Sequence, residues 1–253
     1  MRKLRMLAAC EMSGRVRNAF AVRGWEAWSA DLLPSESPDY DPLFSEGHAR
    51  HYQGDVRDLF SWTHPVNEQR WKDCRGPLYE LSLWDLVIAF PPCTHLSLAG
   101  ARYWKAKREP QWNGIEWVPS VQDEAAVFFT EMTAAPAPHV AVENPRGDMT
   151  RRYRPPDQYV QPWWFGDPLR KQTGLWLKNL PLLYADNTVI PTGRVATGGG
   201  SHRTDVRAGR GPANGHEDGE GRKNRQVVRN RTLENFARAM ASQWGSYVEK
   251  EAA

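Results

Sequence analysis

The sequence predicts an α/β fold built on a mostly parallel, doubly wound sheet, and three observations predict it. Short runs of strand length recur along the chain: Leu4 to Ala9, Glu26 to Ala30, Leu86 to Ala89 and Val140 to Val142. Helical stretches, Arg15 to Val22 and Val121 to Met132, stand among them, and alternation of this kind is the pattern of parallel strands joined by crossover helices. Each run also ends at a turn that carries polar or chemically reactive residues, which is where open α/β sheets hold their ligands.

The first strand, Leu4 to Ala9, runs into the turn Glu11-Met12-Ser13-Gly14 and then into the helix Arg15 to Val22. Small residues let a backbone approach a ligand, and amides at a helix start favour an anionic group, so Glu11, Ser13 and Gly14 are candidate binding residues. The second strand ends at Asp31, roughly 20 residues past the first turn, about where doubly wound folds place an acid to hold ribose hydroxyls. A further acidic turn follows at Gly54-Asp55-Val56-Arg57-Asp58. For Asp31 and Asp55 the competing interpretation is a solvated loop acid.

The apolar run Leu86-Val87-Ile88-Ala89 leads directly into Phe90-Pro91-Pro92-Cys93-Thr94, which places one thiol at the exit of a buried strand. Two prolines stiffen that turn and present the sulfur in one direction, which makes Cys93 a candidate nucleophile. A buried structural cysteine is the plainer alternative. The run Val140-Ala141-Val142 delivers Glu143 and Asn144 to a second turn, Pro145-Arg146-Gly147. A thiol and a carboxylate at the ends of two parallel strands can attack a ring and protonate it in one step. A helix cap or a surface ion pair is the alternative for Glu143.

With these two turns in view, the chain resembles the DNA cytosine-5 methyltransferases. The segment Asp85 to Gly100, with Pro92-Cys93 and the downstream Ser97 and Ala99-Gly100, is similar to that family's Pro-Cys motif; Glu143-Asn144-Pro145 is similar to its Glu-Asn-Val motif, with proline in place of valine. Order and spacing agree, with the helical stretch Val121 to Met132 between the two strands. The resemblance implies a Rossmann-like class I fold dependent on S-adenosylmethionine. It further implies that Cys93 attacks carbon 6 of cytosine, Glu143 protonates ring nitrogen 3, and a cation of the closing segment favours the thiolate. On the donor side it assigns Glu11, Ser13 and Gly14 to the amino-acid end, Asp31 to the ribose and Asp55 to the adenine, with Pro91 beside the donor. The family's usual Phe-x-Gly-x-Gly loop is reduced here to Gly14.

Beyond Glu143, the stretch Phe165 to Leu177 resembles the family's Gly-x-Pro-Gln-x-Arg-x-Arg element, with Leu169 for Gln, and Lys171 and Thr173 for the two arginines. Arg170 and Lys171 are both candidates to hold the base's carbonyl or its phosphate; a solvated basic turn is the alternative. This run looks like the tail of small phage-type cytosine methylases, as does Arg229-Asn230-Arg231-Thr232 followed by the amphipathic helix Ala237 to Trp244, which is expected to pack back on the sheet beside the donor site.

At 253 residues the chain is long enough to bury a sizeable core. The expected organisation is a catalytic domain over 1–185, a basic Gly- and Arg-rich insertion over 186–228 in place of a target-recognition domain, and a helix over 229–253 that completes the catalytic domain. The net charge of +3 argues for no particular partner, but its distribution does. Arg203, Arg207 and Arg210 in the insertion suit phosphate contact, and Arg102 and Lys105 in the segment Ala101 to Pro119 belong to an expected lid over a flipped base. Trp104, Trp112 and Trp117 lie in that segment too, and among the twelve tryptophans the pair Trp163-Trp164 is the first suspected of base stacking. Cys10, Cys74 and Cys93 show neither zinc spacing nor a disulfide framework, so no metal and a reducing cytoplasm, in a bacterial host, are expected. No apolar stretch approaches the ~18 residues of a membrane span. The expected partner is DNA and the expected state a monomer. Three rivals are an amino-methyltransferase, for which Phe90 and Cys93 are the wrong residues, an enzyme acting on RNA or free nucleotide, and a nucleic-acid-binding protein of the same fold without catalysis.

Overall fold

A computed structural model of the chain describes residues 3–37, 48–60, 84–194 and 232–253. In chain order its elements are β1 (Arg5–Ala9), α1 (Arg15–Ala21), β2 (Glu26–Asp31), β3 (His48–Gln53), β4 (Leu86–Ala89), α2 (Trp104–Lys107), β5 (Gln111–Trp112), β6 (Trp117–Val118), α3 (Val121–Thr133), β7 (His139–Pro145), α4 (Met149–Arg152), β8 (Gln158–Val160), β9 (Leu169–Arg170), β10 (Thr173–Lys178), β11 (Gly193–Arg194) and α5 (Glu234–Glu251). Seven strands form one sheet in the order β3-β2-β1-β4-β7-β10-β8. The first five are parallel, and β10 runs antiparallel between β7 and β8. The fold is thus α/β with a mostly parallel sheet of Rossmann-like order, and its strand order reverses between β1 and β4, the position at which such sheets open a crevice.

The central strands form because they can be buried on both faces. In β1, β4 and β7 the apolar residues alternate between two cores, as a period of two requires. Met6, Ala8, Leu86, Ile88 and Ala141 face α1 and α5, where Phe20, Phe236, Met240 and Trp244 cover them. Leu7, Ala9, Val87, Ala89, Val140 and Val142 face α3, where Phe129 and Met132 close the layer. Trp25, Trp28, Trp84, Trp176 and Trp244 are all core residues, so much of the tryptophan content is scaffold.

Two caps place the helices. The Ser120 hydroxyl accepts from the Asp123 amide at 3.1 Å and starts α3. α5 is capped from a distance: the Asp167 carboxylate accepts from the Phe236 amide at 2.9 Å and the Asn235 amide at 3.4 Å. α5 begins three residues earlier than the sequence suggests and packs on α1. The strand β7 continues through Glu143 and Asn144, which the sequence assigns to a turn, because β10 pairs with it over that whole length. Most of the expected insertion, 195–228 with Arg203, Arg207 and Arg210, and Cys74 lie outside the described residues.

Candidate active site at the carboxyl ends of the strands

Three strands deliver the site. Ala9 pairs with Ala89, and Ala89 with Val142, so Cys10, Phe90 and Glu143 are the next residues along β1, β4 and β7 at one level beside the strand-order reversal. The Phe90 amide donates to Ala9 O at 2.9 Å, and the buried Asn144 Nδ2 donates to Pro91 O at 2.8 Å. Asn144, paired with Glu143 in the sequence motif, therefore fastens the end of β7 to the Pro-Pro turn.

Cys93 is half-buried just beyond that turn. Its carbonyl accepts from the amides of Leu96 and Ser97 at 3.1 and 2.9 Å, which winds residues 93–97 tightly. The same loop is laced to the one after β7: Asp148 N donates to Leu96 O at 2.8 Å, Leu98 N to Arg146 O at 3.1 Å, and Ser97 bridges Gly147. Gly147 is glycine because the loops cross there. A Cβ at that position would lie 2.0 Å from Leu96 O.

Glu143 opens on a cavity lined by Phe90, Glu143, Pro162, Lys171, Thr173, Thr232, Leu233 and Phe236. Its carboxylate is buried; Thr173 Oγ1 donates to Oε1, and Lys171 Nζ lies 3.8 Å from the same oxygen. The antiparallel register of β10 causes this, since it sets Thr173 opposite Pro145 and brings the preceding residues over the end of β7. Of the two candidate cations, Lys171 is therefore in the cavity with Glu143, while Arg170 is exposed on β9, which pairs with β11. Cys93 is not among the lining residues; it stands on the adjoining loop. Of the polar lining residues, Thr173 and Thr232 are the two that the sequence alone did not nominate.

On the donor side the structure departs from expectation in two details. The Glu11 carboxylate is buried and accepts from the amides of Ser13 and Gly14, at 3.0 Å each, and from the Ser13 hydroxyl. Those amides, assigned by the resemblance to a ligand carboxylate, are engaged within the turn itself. Burial pushes the Glu11 carboxyl above its ordinary range, against the pull of Ser13 and the fully buried Arg17. The Asp55 carboxylate is the second departure: it accepts from the Arg57 amide and pairs with the Arg57 guanidinium at 2.5 Å. Asp31 is the third expected donor-side acid. It ends β2, half-buried, held by the Leu33 amide at 2.9 Å, with its pKa raised by burial. Cys10 lies in the field of both acids, in a left-handed conformation at φ 57°, and its thiol is pushed up by burial and by Asp31 and Asp55. The residues present thus fit a ribose at Asp31. The Glu11 turn fits a shaped wall rather than a set of free donors.

The segment after Cys93 is anchored at its start. Lys107 Nζ donates to Thr94 O at 2.7 Å, and Arg108 reaches Gln122 Oε1 at 2.7 Å and Asp148 Oδ1 at 3.0 Å. Gln122, fully buried, donates to His95 O at 3.0 Å. What projects is the β5–β6 hairpin, with Trp112 and Trp117 edge to face at 5.8 Å and both exposed. Arg102 and Lys105 are exposed on the approach to it. Trp163 and Trp164 form an edge-to-face pair at 6.0 Å, and Trp164 packs against the core, which makes it scaffold. Among the described residues there is no His, Cys, Asp and Glu cluster that could hold a metal ion, and no helix long and apolar enough to cross a membrane.

No protein-family model matches the chain, and no curated protein matches it. Among solved structures it is similar to an E. coli protein described as a "putative DNA modification methyltransferase encoded within prophage", at 13% identity and a TM-score of 0.40, over 76% of this chain. The chain spans 53% of that protein's length.

Proposed function

We propose that this chain is a class I methyltransferase that transfers a methyl group from S-adenosylmethionine to carbon 5 of cytosine in DNA through a covalent Cys93 adduct. The observation that carries the reading is Glu143: a buried carboxylate in a cavity with Lys171 and Thr173, on a strand whose next residue, Asn144, is hydrogen-bonded to the turn preceding Cys93.

Carbon 5 of cytosine is too weak a nucleophile to react unaided. The Cys93 sulfur forms a bond to carbon 6, the electron pair moves toward ring nitrogen 3, and Glu143 delivers a proton there, which leaves carbon 5 enamine-like. S-adenosylmethionine, when bound, supplies an electrophilic methyl group. A water then takes the carbon-5 proton, the electron pair left behind re-forms the 5,6 double bond and expels the Cys93 thiolate, and ring nitrogen 3 returns its proton to Glu143. Lys171 holds the base's carbonyl oxygen as a donor, and Thr173 orients Glu143 by engaging Oε1. Phe90 and Phe236 give the cavity aromatic surface on which a ring packs. A duplex hides carbon 6, so the base must leave the stack at a cost of about a few kcal/mol.

Asp31 is proposed to hold the donor's ribose, and Asp55 its adenine once released from Arg57. Glu11, Ser13, Gly14 and Pro91 shape the wall beside it. Arg102 and Lys105, together with Arg203, Arg207 and Arg210 of the insertion over 186–228, are proposed phosphate contacts, with 1–185 and 229–253 forming the catalytic domain. The test is transfer of labelled methyl to duplex DNA, single-stranded DNA, RNA and dCTP. Label at cytosine carbon 5 of DNA is expected. Label only in RNA or dCTP would move the substrate, and label on the exocyclic amine would refute the chemistry.

A further inference from the structure

We infer that Thr232 is a substrate-reading residue of the Glu143 cavity, whose hydroxyl accepts a hydrogen bond from the exocyclic amine of the pyrimidine. The inference rests on the proposed reading of that cavity as a cytosine pocket. Thr232 is 5% exposed and lines the cavity, and its Oγ1 is buried with no hydrogen-bond partner among the described residues. Native proteins pair nearly all buried hydroxyls because an unpaired one destabilises the fold. An unpaired buried hydroxyl on a residue that lines a site is therefore a group kept for a ligand.

Thr232 does not sit there through lack of anchorage. Its carbonyl accepts from Arg15 Nη1 at 2.7 Å, and Arg15 also approaches Glu234 at 3.8 Å. Asp167 fixes the amides of Asn235 and Phe236 just beyond. The Arg15 and Asp167 hydrogen bonds hold the backbone of the segment and leave the hydroxyl out. The polar edge of cytosine then explains what the hydroxyl is for. That edge presents a carbonyl, a ring nitrogen and an amine. Lys171 is a donor only and suits the carbonyl; Glu143 serves the ring nitrogen; neither is left for the amine, and a threonine hydroxyl can accept from it. The C-terminal segment thus contributes one wall of the base site as well as packing on the sheet.

The test is binding of deoxycytidine monophosphate to the full chain by calorimetry or NMR titration, alongside thermal unfolding. Thr232→Val is expected to bind roughly tenfold more weakly, the weight of one neutral hydrogen bond, while its midpoint stays level or rises because an unpaired buried hydroxyl is gone. Thr232→Ser is expected to bind like the wild type. If Thr232→Val loses cooperative unfolding, Thr232→Ser against Thr232→Ala reads the same hydroxyl. Undiminished binding in Thr232→Val, no binding by the wild type, or a lowered midpoint in both the valine and alanine variants would overturn the inference. Methyl transfer by the wild type with undiminished nucleotide binding in Thr232→Val leaves the proposed reaction standing without this inference; weakened nucleotide binding in a chain that transfers no methyl does the reverse.

Discussion

Replacing Gly147 with alanine attacks the crossing between the loop that carries Cys93 and the loop that follows β7, without touching Cys93 or Glu143. The new Cβ would lie 2.0 Å from Leu96 O, 2.8 Å from Leu96 C and 2.9 Å from Ser97 Cα, where ordinary contact begins at 3.4 Å. All three are backbone atoms, so no side chain can swing away, and the loop over 93–98 must move by more than 1 Å. The lacing bonds Asp148 N to Leu96 O and Leu98 N to Arg146 O go with it. Two backbone hydrogen bonds at about 1 kcal/mol each put the loss near 2 kcal/mol. A displacement of about 1 Å at a reacting group costs on the order of 100-fold in rate. Urea unfolding would show a lowered midpoint, and methyl transfer would fall by that larger factor while the fold persists. Gly147→Ala with the wild-type midpoint and rate would refute the claim that this crossing sets the position of Cys93.

Lys171→Met should lower methyl transfer by roughly 10- to 100-fold, as for a hydrogen bond to a charged group, whereas Arg170→Ala should leave it near wild type; the reverse ranking in steady-state kinetics would reassign the base contact. Asp31→Asn should stabilise the fold at neutral pH while weakening donor binding. Burial raises the Asp31 pKa, so the folded state holds that proton more tightly than the unfolded state; its stabilising effect is present below the unfolded pKa and is lost as pH rises through the folded one. The midpoint gap between variant and wild type should therefore shrink as pH falls toward about 4 in a thermal unfolding series, and a gap independent of pH would contradict it. Trp112→Ala and Trp117→Ala should each weaken single-stranded DNA binding by roughly tenfold with no change in unfolding midpoint, measured by fluorescence anisotropy.

The sheet's centre was legible in the sequence because β1, β4 and β7 are buried on both faces and read as apolar runs. The edge strand β3, His-Ala-Arg-His-Tyr-Gln, carries no such run, and its pairing to β2 is what forms it. The helix–hairpin arm over 101–119 was equally hidden, since β5 and β6 are two residues each. At the site, Cys93 and Glu143 could be named from their strands. Choosing Lys171 over Arg170 needed the register of β10, which no local pattern encodes. Thr232 was invisible for a different reason: a lone threonine has no signature, and its anchor, Arg15, lies 217 residues away. The engagement of Ser13 and Gly14 by Glu11 likewise depends on where a buried carboxylate turns.

The most direct measurement of the central claim is methyl transfer to cytosine-containing DNA by Cys93→Ala, with donor binding titrated in the same preparation. The account predicts intact S-adenosylmethionine binding and no label above background, because without the sulfur carbon 5 never becomes nucleophilic. Label at the wild-type rate in Cys93→Ala would contradict the covalent mechanism.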